Sequence, residues 1–77
     1  MTINGAVVMT EDWFVEFYPA DANKPEKPIY FDGFTATLSH IQSVRSRIPT
    51  GQFRVHVPAR ATGAERRRIR EEGAIPN

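Results

Sequence analysis

Two stretches of the chain alternate apolar and polar residues with a period of two, and a third repeats with a period near 3.6. Trp13-Phe14-Val15-Glu16-Phe17-Tyr18 is aromatic and β-branched and is closed by Pro19, the composition of a pleated, half-buried strand. Strand alternation sets Trp13, Val15 and Phe17 on one face and Phe14, Glu16 and Tyr18 on the other. Gln52 to Val57 alternates more strictly, with Phe53, Val55 and Val57 inward, Arg54 and His56 outward, and Pro58 as its stop. Ile29 to Asp32 reads as a short strand whose Ile29 and Phe31 share a face, and Asp32-Gly33 turns the chain. The ten residues 19–28 hold three prolines and four charges, so they form a loop. Residues 1–12 are weakly patterned; Asn4-Gly5 signals a turn, and Ala6 to Met9 suit a short strand leading into the next element.

From Thr35 to Ile48 the period changes. Phe34, Leu38, Ile41, Val44 and Ile48 fall within an arc of roughly 120° on a helical wheel, the width of a core-facing stripe. Thr35 or Thr37 is the expected N-cap, and Pro49 stops the helix. Thr62-Gly63-Ala64-Glu65 matches a capping box, a Thr followed three residues later by Glu. It opens a helix from Gly63 to about Glu72, with Gly73 as its stop. This second helix lacks an apolar stripe, because Ala64 and Ile69 are its only apolar residues and they point apart. Residues 61–77 therefore read as a polar C-terminal segment, less stable than the first helix and free to move.

The expected fold class is α+β, a single domain over residues 1–77 with element order β-β-α-β-α. It is a small antiparallel sheet of about three strands, with Ala6 to Met9 as a fourth, N-terminal one. The first helix packs on one face. The expected core is Trp13, Val15, Phe17, Ile29, Phe31, Leu38, Ile41, Val44, Ile48, Phe53, Val55 and Val57. A chain of 77 residues buries little more than ~60% of its unfolded surface, and a homodimer would relieve that shortage.

Composition narrows the chemistry. The chain has no cysteine, which removes disulfides, thiolate nucleophiles and cysteine-based zinc sites. No apolar run approaches the ~20 residues of a membrane span, and no basic-then-apolar leader opens the chain. The expectation is a cytoplasmic protein with no membrane partner. The net charge of +1 conceals an asymmetry. Residues 1–38 carry six carboxylates against two lysines, a net of −4, and residues 39–77 carry eight arginines against three glutamates, a net of +5. Such asymmetry between halves points to nucleic acid or an acidic partner, and arginine suits bidentate contacts to phosphate and stacking on flat rings.

Two groups of residues follow as candidate binding sites. If the first helix covers the Trp13 face, Tyr18, Tyr30, Arg54 and His56 share the open face with Phe14, and aromatic rings interleaved with arginine suit base stacking and phosphate contact. They equally suit a protein interface, and Glu16 in the middle of that face counts against nucleic acid. On the second helix Arg66, Arg67 and Arg70 fall in an arc of roughly 100°, with Arg60 just upstream, and such a stripe neutralises phosphates. A solvated or internally paired surface is the competing reading of both groups. Arg45, at the edge of the first helix's stripe, reads as a structural residue with a packed stem.

Catalysis finds no support in the pattern. His40 and His56 stand outside any metal-ligand spacing, Ser39, Ser43 and Ser46 lack a nucleophile elbow, and the glycines form no phosphate-cradling loop. A carboxylate pair, or a dyad of His56 and Glu16, could meet on the sheet, and nothing in the sequence singles it out. The expected function is therefore a small non-catalytic binding protein, without cofactor or metal, whose arginine-rich C-terminal half meets nucleic acid. The alternative is a stoichiometric protein-binding inhibitor or adaptor of the kind phages and mobile elements encode. It would act on host nucleic-acid-handling or defence machinery and grip an acidic protein surface.

Overall fold

The computed structural model describes residues 12–77. The fold is α+β, with a four-stranded, mostly antiparallel open sheet and two helices. The elements are β1 (Trp13–Tyr18), β2 (Ile29–Phe31), α1 (Phe34–Arg47), β3 (Gln52–His56), α2 (Gly63–Glu71) and β4 (Ala74–Pro76). The sheet order is β2-β1-β3-β4. β1 pairs antiparallel with β2 and with β3, and β3 pairs parallel with β4. The additional strand thus comes from the C-terminus; the N-terminal strand expected at Ala6 to Met9 lies outside the described residues.

One face of the sheet carries the core. Trp13, Val15, Phe17, Phe53, Val55 and Ala74 pack there with Ile41 and Val44 of α1 and Ile69 of α2. Both helices therefore lie on the same side, joined by a hydrogen bond from Gln42 Nε2 to Glu72 Oε2 of 3.2 Å. Ile69, an isolated apolar residue in the sequence pattern, is fully buried and fastens α2 to the sheet. The capping box is present: Glu65 N–H donates to Thr62 Oγ1 and Thr62 N–H to Glu65 Oε1, so two otherwise orphaned donors at the helix start are satisfied.

Three details of the expected core and caps are corrected. Neither Thr35 nor Thr37 caps α1. The N-cap is Gly33, with no side-chain cap, and Thr37 is buried with its Oγ1 donating to the Gly33 carbonyl at 2.8 Å. Ile48 is 41% exposed because it is the C-cap, where the backbone has already turned extended and the helical phase no longer applies. Ile29 is 46% exposed; it ends a three-residue edge strand, against Val15 on one side only. With Val15, Phe17 and Val44 these two isoleucines line a recess of about 220 Å³, rimmed by Glu26, Lys27, His40 and Arg47. That is below the ~300–1,000 Å³ of small-molecule sites.

Candidate functional site

Among the described residues, the face of the sheet opposite the helices is open and ordered in rows. Register places Phe14 of β1 opposite both Tyr30 of β2 and His56 of β3, so three rings line up across three strands. Phe14 and His56 stack with centroids 4.0 Å apart and planes 10° apart, and Phe14 and Tyr30 lie 4.9 Å apart at 35°. His56 is held by Glu16, whose Oε1 lies 3.0 Å from the imidazole Nε2. Glu16 also stands opposite Arg54 in the register, and the Arg54 guanidinium lies 6.0 Å from the centre of the Tyr18 ring. The carboxylate in the middle of the face is thus bonded to a neighbour on the same face. Tyr30 is 51% exposed, and Ile75 of β4 continues the row of Glu16 and Arg54.

The arginines of the C-terminal half fall into distinct environments. Arg60 makes a two-point pair with Asp12, and Asp12 is held below its ordinary acidity range chiefly by that bond. Arg68 pairs with Glu72 at 2.6 Å; the hydrogen bonds from Gln42 and then Arg68 hold the Glu72 carboxyl low. Arg45 lies 4.9 Å from the centre of the Phe53 ring and donates to the carbonyls of Thr50 and Gly51 at 3.1 and 3.3 Å. It clamps the end of α1 to the turn into β3 and is structural.

Arg66, Arg67 and Arg70 differ. Arg66 donates to the main-chain oxygen of Asn77 at 2.7 Å and approaches that of Pro58, contacts that fix the guanidinium. Arg67 and Arg70 are exposed and have no carboxylate partner among the described residues. On the wheel Ile69 points to the core, the Glu65, Arg68 and Glu72 flank turns toward α1, and Arg66 and Arg70 occupy the opposite flank, along β4.

Of the eight candidate residues, the structure brings Tyr18, Tyr30, Arg54 and His56 onto the open face and Arg66, Arg67 and Arg70 onto one flank of α2. It separates Arg60, which is engaged with Asp12. Two contributions lie beyond the pattern. Alternation sets Phe14 on the open face, but its position as the middle ring follows from pairing on both sides. Asn77 shows no local signal at all: its N–H donates to the Val55 carbonyl at 3.0 Å, and its Oδ1 accepts from Val57 N–H at 2.8 Å.

Among the described residues no group of three His, Asp or Glu could hold a metal ion, and no helix is long and apolar enough to cross a membrane. Compared with protein-family models, curated proteins and solved structures, the chain matches none.

Proposed function

We propose that the protein is a non-catalytic module that binds nucleic acid through the arginine flank of α2. The observation that carries this reading is that Arg66, Arg67 and Arg70 share one side of a short helix and that Arg67 and Arg70 have no carboxylate side chain as partner among the described residues, while Arg60 and Arg68 of the same half are paired. A like-charged cluster left without counter-ions is costly in isolation and favourable beside a polyanion, where bound cations leave the phosphates. Absence of catalysis is part of the proposal. It is supported by the surroundings of the His56–Glu16 pair, whose neighbours on the sheet face among the described residues are Phe14, Tyr18, Tyr30 and Arg54.

The test is an electrophoretic mobility shift across a salt series. Binding is expected at low salt and lost by ~0.2 M, with log affinity falling by about 0.7–0.9 for each phosphate neutralised per unit of log salt. Arg67→Ala with Arg70→Ala should weaken binding across sequences and lower that slope by about one per arginine removed. Both side chains are exposed, so the fold is expected to survive. Failure to bind any nucleic acid at low salt overturns the reading.

A further inference from the structure

The open sheet face deepens that reading, and rests on it, by specifying what kind of nucleic acid is bound. We infer that the ligand is an unpaired strand, with a base stacking on Tyr30 at the end of the Tyr30–Phe14–His56 row while its phosphates follow the arginine flank of α2. Three observations lead there. The first is the row itself: Phe14 and His56 are stacked with 4.0 Å between centroids, Tyr30 leans on Phe14 at 4.9 Å with planes 35° apart, and Tyr30, the end ring, is 51% exposed. An additional flat ring extends such a stack without rearrangement.

The second is continuity between the row and the positive flank. Val55 pairs with Pro76 in the parallel β3–β4 register, which sets Asn77 next along β4, level with His56. The main-chain oxygen of that same Asn77 accepts from Arg66 Nη1 at 2.7 Å. One residue therefore stands between the cationic flank and the ring row, at the end of the sheet where β3 finishes. The third is charge: Glu16, in the middle of the described face, is bonded to His56 and stands opposite Arg54, so this carboxylate is engaged by its neighbours rather than turned to a phosphate. The rings of the row already face one another at 4.0 and 4.9 Å, so a base stacks at its Tyr30 end rather than between them. A duplex keeps its base faces against one another, so stacking platforms of this kind select unpaired strands.

The experiment uses the full chain and fluorescence anisotropy at low salt, with labelled oligothymidylate or oligouridylate of about twelve nucleotides and a DNA duplex of the same length. The single strands should bind at least tenfold more tightly than the duplex. Tyr30→Leu removes the ring but keeps apolar bulk beside Phe14. It should weaken single-strand binding about five- to one-hundred-fold, the range for losing one stacked base, and leave duplex binding unchanged. Arg67→Ala with Arg70→Ala should weaken both. Equal affinity for single strand and duplex, or a Tyr30→Leu protein that binds single strands normally, overturns this inference and leaves the arginine flank standing. Absence of binding to either form at low salt overturns the flank as well, and the inference with it.

Discussion

At the scale of single residues the most constrained position is Gly51, in the turn from α1 to β3. Its φ is +90°, in the left-handed region that costs an L-residue roughly 1–2 kcal/mol. A Cβ built there would lie 2.7 Å from Cζ of Phe17 and 2.8 Å from the Tyr18 carbonyl oxygen. Phe17 is buried and the carbonyl belongs to the sheet, so neither yields easily. Gly73 has a similar φ of +85° but meets nothing within 4 Å, and it separates backbone strain from collision. Gly73→Ala should therefore cost about 1–2 kcal/mol, and Gly51→Ala about 2–4 kcal/mol once overpacking is added. Urea denaturation of the two variants beside the parent chain checks both magnitudes. Equal midpoints would show that the turn, rather than Phe17, absorbs the new methyl. Pro49 and Gly51 mark this turn in the sequence, but the closeness of the Phe17 ring follows only from pairing of Phe17 with Phe53.

At the scale of elements, α2 depends on one side chain. Ile69 is fully buried in the common core, and truncating a buried aliphatic residue costs about 2–5 kcal/mol. Ile69→Ala should lower the urea midpoint accordingly, and amide exchange should show α2 and β4 losing protection before β1 and β3. Uniform loss across all elements would mean that α2 folds with the sheet as one unit rather than docking on it. This dependence was hidden from the sequence because an amphipathic stripe is recognised by repetition. A nine-residue helix with one buried apolar residue offers no period to detect, although Thr62 and Glu65 announced its start. β4 was hidden for a related reason: Ala74-Ile75-Pro76 is too short and proline-bearing to suggest a strand, and only the parallel edge of β3 makes it one. The alternating strands β1 and β3 were legible because each faces solvent on one side and core on the other. The ring row on the open face was half legible: alternation put Phe14, Tyr30 and His56 outward, while their shared row depends on a register that local pattern does not fix.

At the scale of the whole molecule, two polar ties that join separate elements titrate in the same direction. Glu72 links α2 to α1 through Gln42, and Asp12 links the start of β1 to the β3–α2 loop through Arg60. Both carboxyls are held below their ordinary values of 4.5 and 3.8 by those bonds. His40, whose ring lies 5.2 Å from Phe31, is lowered from 6.5 by burial and then by the Arg47 charge. In each case the folded protein takes up its proton at lower pH than the unfolded chain. The stabilisation is complete above the unfolded value and is lost as pH falls. Acidification should weaken the fold in two stages: a first decline beginning near pH 6.5, where unfolded His40 protonates, and a second below about pH 4.5, where the two carboxyls follow. His40→Gln should remove the first stage and leave the second. Urea midpoints measured from pH 7.5 to pH 3.5 in the parent and variant would show this. A midpoint that rises between pH 7 and pH 5.5 in the parent but not in His40→Gln would mean that protonated His40 is favoured in the fold, and would reverse the sign assigned to its burial. In the second stage amide exchange should report α2 loosening first, since Glu72 and Asp12 both hold the segments that bracket it. The arginine flank would then lose its alignment with the ring row while β1 and β3 remain paired.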